Sequence, residues 1–295
     1  MGEALKEIAW NGIQLSVPAA WEIARLENRH LTLNHHGCPA MEIKWRAIKG
    51  RFSHRVQIKK LTKRQRNRSG RHIRAWQMPP AWQQALKTFS SSGFCWQSGT
   101  QSGHGATLYC PACRNATIFQ FFDSGERLAD PVLLRTLETL SDHRGDNLTA
   151  WRIFDMQALL PDSFRLKRFH FKPGNHMLAF SDRYTTIQLY RWAPASALLM
   201  QAGLAAFAAG TLELDPDHFR RTAINGHAAV EWRSHQKTGW RGHFYGLRSK
   251  PAFHWAAVWH LQEDNRLLGF RFESRRPLET DQMTRISNNF QLNAC

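Results

Sequence analysis

The chain contains two copies of one order of apolar runs, and this repeat narrows the folds that the sequence can adopt. Each copy begins with an apolar run that ends at a proline, has an aromatic residue three positions later, and continues with two further strand-like runs. These elements are Pro18, Trp21, 31–33 and 41–45 in the first copy, and Pro161, Phe164, 177–180 and 187–192 in the second. We therefore interpret the chain as a duplication of one unit.

The length of the chain agrees with two copies. A chain of 295 residues, 42% of them hydrophobic, suits two domains of about 150 residues with a buried core each. Asp142–Asn147 is polar, contains a glycine and shows no periodicity, which is typical of a short link. We therefore predict one domain at residues 1–146 and a second at residues 147–295.

The runs after the repeated elements predict antiparallel strands and a closing helix in each half. The residues before the first strand predict a short helical lead. Strands are predicted at 94–96, 106–109 and 117–122 in the first half, and at Gly242–Leu247, Phe253–Leu261 and Leu267–Ser274 in the second. The closing helices are predicted at 132–140, behind Asp130 and Pro131, and at 279–289. The predicted fold class is α+β: two similar domains, each an antiparallel β-sheet flanked by helices.

No segment has the pattern of a membrane span or of a secretory signal. The most apolar stretch, Ala197–Leu214, contains Gln201 and glycines, which suit a packed helix better than a membrane-crossing one. The first residues lack the basic start and the apolar core of a signal. The five cysteines are an odd number, and only Cys110 and Cys113 are close in sequence, so we predict a reducing, cytoplasmic setting.

Positive charge is unevenly spread along the chain, because one long stretch of the first half has no acidic residue. The formal net charge is +17, and no acidic residue occurs between Glu42 and Asp123. Ten cations form what we call the basic segment: Arg51, Arg55, Lys59, Lys60, Lys63, Arg64, Arg66, Arg68, Arg71 and Arg74. Such a field attracts polyanions, so the segment predicts a polyanion site, with nucleic acid ahead of acidic protein or a membrane surface. The alternative is a solvated basic surface that keeps the protein soluble.

Three tryptophans flank the basic segment: Trp76, Trp82 and Trp96. Aromatic side chains beside a cationic stripe are used to stack the bases of single-stranded nucleic acid. The alternative is that these residues belong to the hydrophobic core of the sheet.

Cys110 and Cys113 have the spacing of half a zinc site, since two thiolates on a tight turn can share one ion. The other ligands are expected from Cys38 with His35 or His36, at the tip of a predicted hairpin. This grouping assumes that strands 41–47 and 117–122 run parallel, which places both turns at one end of the sheet. The alternatives are ordinary reduced thiols and a redox pair.

Catalytic motifs are missing from the sequence. It contains no nucleophile elbow, no His-Glu-x-x-His, no phosphate loop and no paired carboxylates at a strand end. We therefore lean towards a protein that is not an enzyme, and no catalytic residue is predicted.

The order of elements resembles the Mog1/PsbP-like family, whose bacterial members include domains of unknown function and chaperones associated with type VI secretion effectors. The resemblance rests on residues 10–18 with Trp21, residues 153–161 with Phe164, the strand entry 224–229 and the ending 284–290. It implies two such units packed as an internal pseudo-dimer, without need of a homodimer. The function expected is non-enzymatic binding or assembly, adaptor or chaperone-like, with a protein partner; the alternative is a polyanion-binding accessory protein.

Overall fold

The computed structural model describes residues 4–69, 72–123, 130–200, 203–235 and 251–293. For residues 64–69, 130 and 235 only the backbone is described. The predicted strand at Gly242–Leu247 and the predicted cation Arg71 lie outside these residues.

Strands make up most of the secondary structure. In chain order they are β1 (Leu5–Trp10), β2 (Ile13–Pro18), β3 (Glu22–Glu27), β4 (His30–His35), β5 (Cys38–Ala47), β6 (His72–Ala75), β7 (Ser90–Ser98), β8 (Gln101–Tyr109), β9 (Asn115–Asp123), β10 (Leu148–Ile153), β11 (Met156–Pro161), β12 (Arg165–Lys172), β13 (Asn175–Ser181), β14 (Thr185–Trp192), β15 (Arg220–Ile224), β16 (His227–His235), β17 (Phe253–Leu261), β18 (Arg266–Ser274) and β19 (Gln291–Leu292).

The helices are α1 (His54–Ser69), α2 (Pro80–Ala85), α3 (Asp130–Glu138), α4 (Ala195–Leu199), α5 (Leu204–Leu212) and α6 (Thr280–Asn288), and Pro216–His218 forms a short 3-10 helix. No helix in the described ranges is both long and apolar enough to cross a membrane.

The strands form three antiparallel sheets, so the protein is mostly β and the predicted α+β class of helix-flanked sheets is wrong. The strand orders are β3-β4-β5-β9-β8-β7-β6, β12-β13-β14-β18-β17-β16-β15 and β19-β11-β10-β1-β2. The edge strands β6 and β15 explain part of the difference between the predicted and the observed strand content. Their side chains are mostly exposed, so their sequences lack the alternation that marks a half-buried strand.

The helical lead predicted at the start of the chain is also wrong, because these residues form β1. This strand pairs with β2 in register from Leu5 opposite Pro18 to Trp10 opposite Ile13. The turn between them is Asn11-Gly12, with φ of 46° and 93°. Two successive positive φ angles are typical of a type I′ hairpin turn, and the ladder outweighs the local helix propensity.

The two seven-stranded sheets have the same strand order. In each sheet three consecutive strands form a meander. The next strand in the sheet lies at the far edge, and the strands after it pair antiparallel in turn until the last lies beside the third strand. The crossing segment contains α1 in the first sheet and α4 with α5 in the second. The repeated order of elements in the sequence therefore has a counterpart in the strand order.

The chain divides into two compact units, one built mainly from residues 1–146 and the other mainly from residues 154–294. In the first unit α3 packs against β2, and in the second α6 packs against β11. Each core is aromatic: Trp21 and Phe121 meet edge to face in the first, and Trp259 contacts Phe290 in the same way in the second. The packing of α3 against β2 positions residues 141–143, which follow α3 in the chain.

Candidate functional site

Cys110 and Cys113 lie on the tight turn between β8 and β9. The turn is closed by the backbone N–H of Cys110, which donates to the carbonyl of Asn115 over 3.0 Å. Arg114 has a φ of 57°, and its carbonyl accepts a hydrogen bond from the N–H of Ile48. The Cys110 side chain is buried and that of Cys113 is half-buried. The backbone thus fixes the positions of both thiols.

A second stretch, Ser141–His143, follows α3 and meets this turn. Leu137 and Leu140 are buried, which anchors the end of the helix. Ser141 then exchanges two backbone hydrogen bonds with Gln14 of β2, each 2.9 Å long. These contacts position Asp142, whose side chain is only 2% exposed, and His143, whose side chain is 46% exposed.

The four side chains form one cluster, which we call the Cys-Asp-His cluster: Cys110, Cys113, Asp142 and His143. One ligand atom from each lies within 4.8 Å of all the others. The Cys113 thiol donates to Oδ2 of Asp142 over 3.1 Å, and Nδ1 of His143 lies 2.8 Å from Oδ1 of Asp142. The Cys110 sulfur lies 3.7 Å from Nδ1 of His143.

The electrostatics of the cluster keep the Cys113 thiol protonated. Burial, followed by the hydrogen bond to the Asp142 carboxylate, raises the pKa of Cys113 to about 12. A thiol with so high a pKa is a poor nucleophile, since the thiolate is the reactive form. Cys113 is therefore a poor candidate for a catalytic nucleophile. The two sulfurs, the carboxylate and the imidazole of the cluster are together a donor set that a metal ion can use.

The structure does not bring Cys38, His35 or His36 to the Cys-Asp-His cluster. The assumption of parallel strands is wrong, because β5 and β9 are antiparallel and Ala47, not Cys38, lies opposite Asn115. The strand β5 is 10 residues long, so its ends are about 30 Å apart. Cys38 is exposed at the far end, where the rings of His35 and His36 pack on each other.

Asp142 and His143 are the ligands that sequence reasoning misses. In the sequence they begin a polar stretch interpreted as an interdomain link. An adjacent Asp-His pair directly after a helix, combined with a Cys-x-x-Cys turn, is a recognisable donor set. The two stretches are brought together by the fold, in which α3 packs on β2 and the Cys113 thiol reaches Asp142.

The basic segment forms α1 and reaches β6. The described cationic side chains of the segment are exposed: Arg51, Arg55, Lys59, Lys60, Lys63 and Arg74. Arg64, Arg66 and Arg68 belong to the helix, where only the backbone is described. Among the described residues, no salt bridge neutralises any of these six cations, so their charge faces the solvent.

α1 is held on its sheet by its first turn. The His54 ring lies 2.8 Å from the Thr107 hydroxyl through Nδ1 and 2.9 Å from the Ser90 hydroxyl through Nε2. Phe52 stacks on Tyr109 with ring centroids 4.6 Å apart. Burial lowers the pKa of His54 below its ordinary value of 6.5.

The three tryptophans beside the basic segment do not form a stacking platform. Trp82 and Trp96 are 7% and 3% exposed. Trp76 is half-buried, and its ring packs against the rings of Trp82 and His104. These residues belong to the core of the first unit, so the interpretation of base stacking is wrong for Trp82 and Trp96.

An aromatic surface that the sequence reasoning does not single out lies at the β12 edge of the second sheet. In the described part of the chain, β12 pairs only with β13. Phe169 and Phe171 alternate along it with partly exposed rings, 5.7 Å apart. Phe154, which is 42% exposed, contacts Phe171 at 4.8 Å, and His176 lies 5.3 Å from Phe171. We call β12 with these rings the β12 edge.

No protein-family model and no curated protein matches the chain. Among solved structures, it is similar to the apo immunity protein TplEi of the T6SS from Pseudomonas aeruginosa, with 10% identity over 98% of this chain and 97% of that chain and a TM-score of 0.35. A structure of TplEi complexed with "L" peptide gives 9% identity over 98% of both chains and a TM-score of 0.33. The Tle4-Tli4 complex gives 11% identity over 99% of both chains and a TM-score of 0.35.

The similar structures thus include complexes with protein or peptide partners. The resemblance to the Mog1/PsbP-like family is not confirmed by these comparisons.

Proposed function

We propose that the protein is a non-enzymatic binding protein, adaptor or chaperone-like, that holds an extended segment of a partner protein along the β12 edge. The observation that carries the proposal is that β12 ends its sheet in the described part of the chain, beside a row of partly exposed aromatic rings. An extended peptide can add a strand to such an edge, with its main chain supplying affinity and its side chains specificity.

The charge of the β12 edge indicates the chemistry of the partner. Four of the eight residues of β12 are cations and none is acidic: Arg165, Lys167, Arg168 and Lys172. All four are exposed. Charged residues on an edge strand also discourage pairing with unselected strands. We therefore expect an acidic segment with apolar side chains that contact Phe169 and Phe171.

The matched control is the corresponding edge strand β3 in the first sheet. The pairing of β3 with β4 shifts between Ile23 and Arg25, and that of β12 with β13 shifts between Leu166 and Arg168. Leu26 and Phe169 are therefore equivalent positions, each the second paired residue after the register shift. Both side chains are partly buried.

The test is photo-crosslinking in the native source, with a photoreactive amino acid at Phe171 or at Leu26. The partner captured from Phe171 is purified and its affinity for the full chain is measured. We expect Phe169→Ala to weaken binding by tenfold or more, as loss of an aromatic anchor does, and Leu26→Ala to leave it unchanged. Equal losses for both variants, or a partner captured equally from both positions, would refute the proposal.

A second candidate function, polyanion binding, is favoured by the exposed cations of α1. Binding that neutralises several phosphates weakens steeply with salt, by about 0.9 in log–log slope for each phosphate contact on duplex DNA. Duplex DNA binding is measured at two ionic strengths for wild type and for a variant with Lys59, Lys60 and Lys63 changed to Gln.

The control variant changes Arg165, Lys167 and Arg168 to Gln, which removes the same charge from the β12 edge. We expect only the α1 variant to lose affinity and salt dependence. Its slope of log affinity against log salt concentration should be smaller in magnitude by about 2–3. Equal effects from the two variants indicate non-specific attraction to net charge and contradict a site on α1.

A further inference from the structure

We propose that Cys110, Cys113, Asp142 and His143 bind one zinc ion in a closed, structural site. The site is separate from both binding functions proposed above, because none of its four residues belongs to β12 or α1. It also differs from the ligand set predicted from the sequence, since Asp142 and His143 take the places expected for Cys38 and a hairpin histidine.

The geometry supplies the first argument. Tetrahedral zinc has metal–ligand distances of ~2.0–2.3 Å, so its ligand atoms are about 3.3–3.8 Å apart. The sulfur of Cys113 is 3.1 Å from Oδ2 of Asp142, and that of Cys110 is 3.7 Å from Nδ1 of His143. These two pairs have nearly the spacing that the ion needs, and all four donors lie within 4.8 Å of one another, so side-chain adjustments suffice for binding.

The burial of Asp142 supplies a second, independent argument. Its side chain is 2% exposed, and in the described part of the chain its salt-bridge partner is His143, a half-exposed residue. A buried carboxylate is costly unless a cation compensates its charge. No lysine or arginine among the described residues does so. A divalent ion between Asp142 and the two sulfurs would supply the positive charge that no described lysine or arginine provides there.

The donor types select the metal. Two sulfurs with one imidazole nitrogen suit zinc, whereas calcium and magnesium prefer sites made of oxygen ligands. Each thiol gives its proton to the solvent as its bond to zinc forms, so no oxidant or reductant is needed. Four protein ligands fill the tetrahedron and leave no open position, which makes the site structural rather than catalytic.

The test is elemental analysis of the full chain, purified under reducing conditions without chelator and then reconstituted with zinc. We expect about one zinc per chain in wild type, in Cys38→Ser and in Cys95→Ser, whose cysteines lie outside the cluster. In Cys113→Ser and His143→Ala we expect zinc affinity, measured against a chromophoric chelator, to fall at least about 100-fold, since even loss of an outer-shell contact costs about 10–100-fold. His143 is half-exposed, so its alanine variant keeps the core intact.

The ligand set is then read directly by X-ray absorption at the zinc edge. We expect two sulfurs at ~2.3 Å and two lighter atoms at ~2.0 Å. Less than about half an equivalent of zinc in reconstituted wild type overturns the proposal. So does a Cys110–Cys113 disulfide in the reduced preparation, or zinc that is lost from Cys38→Ser and retained by His143→Ala.

Discussion

The thiol of Cys113 donates a hydrogen bond to the buried carboxylate of Asp142 over 3.1 Å, although the two residues are 29 positions apart. The contact joins the turn between β8 and β9 to the stretch that follows α3. Ser141, in the same stretch, is hydrogen-bonded to Gln14 of β2. Three separate stretches of the first unit therefore meet here, and an ion bound at this point stabilises the packing of α3 on β2.

Removal of zinc is therefore expected to destabilise the protein. A strong chelator should lower the Tm of zinc-loaded wild type by about 5 °C or more, since a ligand that binds only the folded state adds its binding free energy to stability. The measurement is calorimetry with and without chelator. Cys38→Ser should respond as wild type does, and Cys113→Ser should not respond. The same fall in Tm for wild type and Cys113→Ser would argue against a stabilising ion in the cluster.

A side chain at Gly105 is expected to destabilise the fold. A Cβ at this position of β8 would lie 2.1 Å from the carbonyl oxygen of Phe119 in the neighbouring strand and 2.9 Å from Cζ of Phe94. Gly105→Ala should therefore lower the free energy of unfolding by about 3 kcal/mol. In α5, Gly210 has no atom within 4 Å of an added Cβ, so Gly210→Ala should raise stability by about 0.5–1 kcal/mol. Urea unfolding of both variants compares them, and a Gly105→Ala variant as stable as wild type would contradict the prediction.

Strands with alternating apolar side chains could be predicted from the sequence. The predicted runs at 31–33 and 41–45 lie inside β4 and β5, and Phe253–Leu261 is β17 as predicted. Each of these strands buries one or both of its faces, and burial produces the pattern. β6 could not be predicted in this way, because only one of its four residues is even partly buried.

The failure to predict β6 also explains why the predicted direction of β9 relative to β5 is wrong. Each antiparallel hairpin reverses the chain, so one unpredicted strand reverses the direction of every strand after it. With β6 included, β9 runs antiparallel to β5 and Cys110 lies far from Cys38. The Cys-x-x-Cys pair could be identified as half of a donor set from its spacing, whereas its complement depends on how α3 packs, which no local pattern shows.

Asp155 and Arg191 are expected to stabilise the second unit in a pH-dependent way. Arg191 is 7% exposed and hydrogen-bonds to Asp155, and Nδ1 of His176 lies 3.6 Å from the same carboxylate. Burial acts to raise the pKa of Asp155, but the contact with His176 and the charge of Arg191 outweigh it, so the pKa is lowered below its ordinary value of 3.8. The folded state therefore binds this proton less tightly than the unfolded state.

The stabilisation from Asp155 is present above the unfolded pKa and is lost as the pH falls through the folded pKa. Asp155→Asn should lower the free energy of unfolding by about 3 kcal/mol at pH 7, since it leaves the Arg191 charge unpaired. The difference from wild type should shrink in acid, where wild type is itself protonated. Urea unfolding across the pH range measures it, with the exposed Glu263→Gln as a control expected to change stability by less than about 0.5 kcal/mol. A difference that stays constant with pH would contradict the role of the charge.

His54 is expected to make the docking of α1 sensitive to mild acid. Its ring is held between the hydroxyls of Thr107 and Ser90, and Phe52 contacts it edge to face at 4.8 Å. Burial lowers the pKa of His54 below its ordinary value of 6.5, because the charged imidazolium loses hydration in this position. The unfolded chain therefore binds the proton more tightly than the folded one, and stability is lost as the pH falls below about 6.5.

His54→Gln keeps a donor and an acceptor near the two hydroxyls but cannot be charged. We expect it to cost about 1 kcal/mol near pH 7.5, where the wild-type imidazole is neutral and well hydrogen-bonded. Below pH 6.5 the variant should lose less stability than wild type, so the two unfolding curves approach each other. Hydrogen exchange of the α1 amides should show the same trend, because the first turn anchors the helix on β7 and β8. An NMR titration that gives folded His54 a pKa above that of the same residue in urea would reverse the sign and disprove the prediction.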